Sequence, residues 1–342
     1  MHRDDIEFHN VGDLRDDAGT DPDGTLIQRV PESVRTELND GAQRRVRHPA
    51  GVELRFVPED TVEVTLSIEP RNGVDSSTVR VFWGPFQERV EHDVGPEPTT
   101  FEVSMPEKLD RLDADVRADL PFDPRVCRLR LPGEHRGGWV SYHSAEGERR
   151  PPEAGELPDP TYLAYGTSIT EGEAALGEHL TYVSQTATRL GADLVNLGTC
   201  GSNYCDAAMA DHIAARDDWD VATLALSVNM VGTFSPEEFR ERAAYMVETV
   251  ADAHPGKPVV PITIYPNSKD IVVDHEQGAV CERFREELRA VVDETEYENV
   301  TLLEGADVLT DVGGLTTDLV HPGDDAMVRM GERLGTELES LL

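Results

Sequence analysis

The hydrophobic pattern of this chain changes period near residue 150, and that change restricts the fold more than any other feature of the sequence. Before it, apolar and polar residues alternate in short runs: Val52–Val57, Val62–Ile68, Val79–Trp83, Thr100–Val103, Val126–Leu131 and Trp139–Tyr142. A period of two, rich in β-branched and aromatic residues and bounded by Gly, Pro and Asp clusters, marks β-strands separated by turns. The spacing predicts two antiparallel sheets packed face to face. After residue 160, short apolar runs alternate with longer stretches whose apolar residues recur every three or four positions, the sign of parallel strands joined by helices. Strands are predicted at Tyr162–Tyr165, Leu194–Leu197, Thr223–Leu226, Val259–Ile264 and Val300–Leu303. The Glu-, Pro- and Gly-rich stretch from Gly147 to Pro160 reads as a linker. The division expected is a β-sandwich domain over 1–150, a linker over 151–160 and an α/β domain over 161–342.

The helical signals are of unequal kind. The segment Gly172–Leu190 places Leu176, Leu180, Val183, Ala187 and Leu190 on one stripe, which predicts a helix facing a sheet. A second helix announces its start, with Ser235 and Glu238 as a capping box, Pro236 in the first turn, and Phe239, Ala243, Met246, Val247 and Val250 as its buried face. Further helices are expected around Cys281–Val292 and Ala326–Leu341.

Charge narrows the partners. Sixty-seven acidic residues against thirty-one basic ones give a net charge of -36, which repels nucleic acid and anionic membranes. The only lysines are Lys108, Lys257 and Lys269. An acid-rich, lysine-poor surface suits a cytoplasm near molar salt, where the Debye length falls to about 3 Å, so a halophilic origin is expected. No apolar run approaches a membrane span, and the N-terminus starts with acids where a signal peptide has basic residues, so a cytoplasmic protein is expected. Cys127, Cys200, Cys205 and Cys281 form no CxxC pair and no cluster at zinc-ligand spacing, so free thiols and no metal are expected.

In an open parallel sheet, reactive residues gather at the carboxyl ends of the strands. The first such end reads Tyr165-Gly166-Thr167-Ser168-Ile169-Thr170-Glu171-Gly172: a serine between glycines where strand passes to helix, placed either as a nucleophile or as a helix cap. The second ends in Asn196-Leu197-Gly198-Thr199-Cys200-Gly201-Ser202-Asn203, whose two glycines permit backbone amides to face a cleft or make only a turn. The third ends in Ser227-Val228-Asn229-Met230, where Asn229 serves either as an amide donor or as a turn residue. The last loop carries Asp318-Leu319-Val320-His321, an acid three residues before a histidine. It can hold one ring nitrogen and leave the other for the serine.

Taken in order, Gly166–Thr170, the Gly201 loop, Asn229 and Asp318–His321 resemble the four signature blocks of the SGNH (GDSL-type) esterase and acylhydrolase superfamily. The resemblance spans about residues 161 to 342. It implies a flavodoxin-like three-layer α/β/α domain with a parallel sheet, with Ser168 as nucleophile, His321 as base, Asp318 as the acid that orients it, and Ser168, Gly201 and Asn229 in the oxyanion hole. Thr167 stands where the family name has Asp, and Met230 follows Asn229 where many members carry Asp; both bear on substrate more than on activity. His9–Leu14 and Arg29–Arg35 resemble, less specifically, the jelly-roll-like β-sandwich that precedes some of these hydrolases.

The activity expected is hydrolysis of a short acyl ester, acetyl on a carbohydrate or other polyol foremost, through an acyl-enzyme and without a cofactor. Acyl transfer by the same residues and an inert carbohydrate-binding protein are the alternatives. A nucleotide-binding protein is disfavoured because no GxGxxG or GxxxxGK[ST] follows a strand.

Overall fold

The computed structural model describes residues 1–16, 18, 23–70, 75–133 and 138–342. They form two compact units: one of residues 1–32, 46–159 and 191–193, the other of 33–45, 160–190 and 194–342.

The first unit is an antiparallel sandwich. Its strands are β1 (His2–Arg3), β2 (Ile6–His9), β3 (Asp13–Arg15), β4 (Thr25–Gln28), β5 (Glu53–Pro58), β6 (Val62–Glu69), β7 (Ser77–Trp83), β8 (Phe86–Val94), β9 (Thr99–Val103), β10 (Cys127–Arg130), β11 (Trp139–Glu146) and β12 (Arg149–Arg150). One sheet runs β1-β2-β5-β10-β7-β8 with β12 beside β5, the other β3-β4-β11-β6-β9. Alternate residues of the two sheets make one core, with Phe8, Leu54, Phe56, Val81 and Leu129 meeting Val64, Leu66, Phe101 and Tyr142. The opposite face of β5 and β10 is also buried. There the Glu53 carboxylate accepts from Arg55 Nε at 2.8 Å and from Arg128 Nε and Nη2 at 2.7 and 2.6 Å. The Arg128 guanidinium stacks 3.6 Å from the centroid of Phe122.

Helices α1 (Glu32–Arg35) and α2 (Asp40–Arg45) leave the chain between β4 and β5, and residues 33–45 group with the second unit. Two short helices, α3 (Glu107–Asp110) and α4 (Ala114–Ala118), lie between β9 and β10.

The second unit is α/β. Its four strands, β13 (Thr161–Tyr165), β14 (Asp193–Asn196), β15 (Val221–Ala225) and β16 (Val259–Ile262), lie in the order β14-β13-β15-β16. The fifth strand expected over Val300–Leu303 is reduced to two parallel bridges, Val259 with Val300 and Ile262 with Leu303. Its helices are α5 (Ser168–Glu171), α6 (Tyr182–Leu190), α7 (Ala207–Ala214), α8 (Pro236–Ala253), α9 (Ser268–Ile271), α10 (Gly278–Glu294), α11 (Gly305–Val308) and α12 (Asp324–Glu339). The capping box of Ser235 and Glu238 starts α8 as the spacing requires.

The helix expected over Gly172–Leu190 is corrected: only Tyr182–Leu190 is α-helical. Gly172 adopts φ +114° and ends α5, Ala174 also has a positive φ, and the chain turns until Tyr182. Leu176 is therefore 51% exposed, whereas Val183 and Ala187 are buried as expected. Close packing of α6 on α12 is possible because Gly331 and Gly335 carry no side chain; a Cβ at Gly331 would lie 2.3 Å from that of Gln185. Helix α7, with Met209, Ala210 and Ile213 inward, had no counterpart in the sequence reading.

Candidate active site

Ser168 is the first residue of α5, reached from β13 through Gly166 and Thr167. Gly166 has no substitute: a Cβ there would fall 2.1 Å from Thr170 Oγ1. Thr170 is itself fixed by a 2.8 Å hydrogen bond with the Tyr182 hydroxyl. The helix that begins at Ser168 is a single turn, Ser168–Glu171, and it gives the side chain a fixed direction.

The Ser168 hydroxyl lies 2.8 Å from His321 Nε2, and His321 Nδ1 lies 2.7 Å from Asp318 Oδ2. Ser168 is 5% exposed, while the His321 and Asp318 side chains are 18% and 50% exposed, so the chain of hydrogen bonds runs outward from a buried hydroxyl. The spacing of Asp318 and His321 is set by a tight turn in which Leu319 takes φ +57°. Within it Asp318 Oδ1 accepts from the backbone of Val320 and His321 and from the Thr316 hydroxyl, at 2.8, 3.0 and 2.9 Å. Burial acts to raise the Asp318 carboxyl. The hydrogen bonds from the His321 ring, the two backbone amides and Thr316 outweigh it and hold the group well below the ordinary carboxylate value.

The Gly201 loop follows β14 and Asn229 follows β15, the two strands that flank β13, so both lie beside the Ser168 turn. Ser227, at φ +93° and fully buried, bends the chain after β15, and its hydroxyl donates to the Leu226 carbonyl. The Asn203 N–H donates to Asn229 Oδ1 at 3.2 Å. Gly201, at φ +63°, lies between these loop contacts, and its own N–H takes no partner among the described residues.

Glu171, fully buried, accepts the Cys200 N–H, and the Thr199 N–H donates to the Gly166 carbonyl at 2.9 Å. The two loops thus share a backbone frame. Gly198 permits it, since a Cβ there would lie 2.4 Å from the Glu171 nitrogen. Glu171 appeared in the sequence only as part of the serine motif; a carboxylate inside a buried helical turn was its one available signal. Asn203 stood in the sequence only as the end of the Gly201 turn, and Thr316 and Tyr182 gave no signal.

A small apolar pocket adjoins these groups, about 300 Å³ with part of it open to solvent. Its walls include Thr167 and Ile169, which flank Ser168, with Val228 before Asn229 and Val320 before His321. The connection after β16 reaches the same place: Asn267 lines the pocket, and the Ser268 N–H donates to the Leu319 carbonyl at 2.6 Å.

All four cysteines are free, and burial pushes each thiol up, so none is a competing thiolate nucleophile. Among the described residues no His, Cys, Asp and Glu cluster fits a metal, and no helix is long and apolar enough to cross a membrane.

Residues 161–339, more than half of the chain, match the model of the GDSL-like lipase/acylhydrolase family. The chain belongs to this family. As an SGNH-type hydrolase it carries the parallel α/β domain after an antiparallel sandwich. A salicylyl-acyltransferase from a tetracycline biosynthetic pathway superposes with a TM-score of 0.75 at 16% identity, over 98% of this chain and 95% of its own. Two family two carbohydrate esterases do so as well. That from Clostridium thermocellum, in complex with cellohexaose, gives 0.60 at 15% identity over 98% of both chains. That from Cellvibrio japonicus gives 0.61 at 14% identity, over 99% of this chain and 96% of its own. No curated protein matches the chain in sequence.

Proposed function

We propose that the protein cleaves a short acyl ester by a two-step serine mechanism. The hydrogen-bonded chain from Ser168 through His321 to Asp318, at the carboxyl end of the parallel sheet, carries this reading. His321 Nε2 takes the proton of the Ser168 hydroxyl as Oγ bonds to the ester carbonyl carbon. Asp318 keeps the proton on Nδ1 and stabilises the imidazolium that forms. The oxyanion is met by backbone N–H groups of Ser168 and Gly201 and by the Asn229 amide. Collapse breaks the bond to the alcohol, which leaves with the proton from His321. Water then repeats the sequence on the acyl-enzyme and releases the acid.

The small apolar pocket lined by Ile169, Val228 and Val320 supports a short acyl group, acetyl foremost, over a long chain. Carbohydrate as the alcohol rests on the shared fold with carbohydrate esterases. Transfer of the acyl group to a hydroxyl other than water is the second reading, favoured by the 0.75 superposition on an acyltransferase.

Rates on p-nitrophenyl acetate, butyrate and octanoate, with a fluorophosphonate adduct mapped by mass spectrometry, test the proposal. It expects acetate to be fastest and the adduct on Ser168. Octanoate as the best substrate would remove the acetyl reading, and an adduct elsewhere would remove the nucleophile. Added alcohols distinguish transfer from hydrolysis by the share of acyl product they capture.

A further inference from the structure

Residues 33–45 lie more than 150 positions from the Gly201 loop in sequence, yet they grip it. The Asn39 amide Nδ2 donates to the Ser202 carbonyl at 2.9 Å and to Asp206 Oδ2 at 2.6 Å, while the Asn39 N–H donates to the same carboxylate oxygen at 3.2 Å. Its Oδ1 is occupied in turn by the N–H groups of Gly41 and Ala42, at 3.0 and 3.1 Å, which anchor Asn39 to the start of α2. Contact is close enough to exclude a side chain: a Cβ at Gly41 would lie 2.6 Å from that of Ser202.

The loop is thereby fixed on both sides of Gly201. Before it, Glu171 holds the Cys200 N–H; after it, Asn39 holds the Ser202 carbonyl and Asn229 holds the Asn203 N–H. The Ser202 carbonyl belongs to the peptide that follows the Gly201–Ser202 bond by one residue. That peptide is held at its carbonyl by Asn39 and at its N–H by Asn229, while the Ser202 N–H closes the turn on the Thr199 carbonyl at 3.2 Å, so losing Asn39 removes one of the anchors around the left-handed Gly201 and loosens the aim of its N–H. An amide positioned within about 0.5 Å before reaction is what an oxyanion site needs, because a donor that must reorient gains little when charge develops.

We propose that Asn39 is a positioning residue for the oxyanion site, acting through the Ser202 carbonyl to aim the Gly201 N–H. The proposal rests on the reading of Gly201 as an oxyanion donor. It means that the α/β unit is incomplete for catalysis without a segment drawn from between two strands of the sandwich.

The test uses full-length Asn39→Ala and Asn39→Asp, the second retaining the oxygen that receives Gly41 and Ala42 but losing the donor to Ser202. Both are expected to lower kcat on p-nitrophenyl acetate by about 10- to 100-fold with KM within about twofold, because the amide acts on the charged state. Affinity for phenylboronic acid, which forms a tetrahedral adduct on the serine, should weaken by a similar factor, while the pH profile of the remaining activity keeps its shape. A purely structural role would lower the melting temperature and leave boronate affinity intact.

A folded Asn39→Ala or Asn39→Asp with kcat within twofold of wild type overturns the proposal. So does failure of both variants to fold, which would assign Asn39 to stability alone. Ser168→Ala run alongside separates the two readings. If that variant retains the esterase rate, the site itself is misassigned; if it is inactive while the Asn39 variants are not, only the positioning role falls.

Discussion

The backbone N–H of Asn203 points at the side-chain oxygen of Asn229, 3.2 Å away. With its oxygen engaged, the Asn229 amide has its NH₂ to offer a substrate, and an amide flipped by a half-turn would lose this bond. The polarity of the side chain is therefore set before an ester arrives. Asn229→Ala should lower kcat about 10²- to 10³-fold with little change in KM. Asn229→Asp should lose at least as much, since a carboxylate presents only acceptors to the oxyanion. Steady-state rates on p-nitrophenyl acetate check both, and a raised KM with kcat unchanged would place Asn229 in ground-state binding instead.

Ser168 and His321 form one proton-transfer unit, so removing either disables both. Ser168→Ala and His321→Ala should each leave no more than a few per cent of wild-type turnover, and the double variant should lose no more than either alone. Asp318→Asn should lose less than either. Its remaining oxygen can still receive the Val320 and His321 amides, so the turn survives while the charge that supports the imidazolium is gone. Additive losses in the double variant would separate the two residues into different steps.

Features confined to a few consecutive residues were legible in the sequence. The serine motif, the Asp318–His321 spacing and the Ser235 capping box each depend on neighbours within a turn, and strands β13 to β16 were found within about two residues because buried parallel strands are apolar throughout. The Leu176 stripe misled because spacing alone does not register that Gly172 takes a left-handed φ and stops the helix. Strand β8 was invisible for the opposite reason: it lies at a sheet edge with most of its residues exposed, and it shows no alternation. The hold of Asn39 on Ser202 spans 163 residues and rests on two polar residues with no local signature.

Glu53 tests the stability of the sandwich. Burial acts to raise its carboxyl, but Arg128, Arg55 and Arg130 outweigh this and hold it well below the usual value. Glu53→Gln keeps the shape and removes the charge that neutralises these guanidinium groups. It should destabilise the fold by about 3–5 kcal/mol, as expected when one member of a buried ion cluster is removed. Urea unfolding monitored by tryptophan fluorescence checks this; a loss below about 1 kcal/mol would show that water reaches the cluster.

The charge of -36 predicts a strong dependence on salt. Raising KCl from about 0.1 to 3 M shortens the Debye length from roughly 10 to 3 Å and screens repulsion among surface carboxylates. The melting temperature should rise steadily across that range. A flat curve would remove the inference of a surface adapted to high salt.

His212, on α7, makes stability depend on mildly acidic pH. Burial, with a further contribution from Arg216, pushes its imidazole down to about 4, against an ordinary value near 6.5. The folded protein therefore holds His212 neutral at pH values where the unfolded chain binds a proton. By linkage, stability is undiminished above about 6.5 and falls as pH drops from there toward 4, by on the order of 3 kcal/mol at most. His212→Gln cannot bind that proton and should flatten this part of the curve, so wild type and variant converge as the pH is lowered even if the variant is the less stable at pH 8. Chemical denaturation at pH 8, 6, 5 and 4.5 measures the difference. A gap that stays constant across these values would mean that water reaches the ring and that some other group governs the acid response.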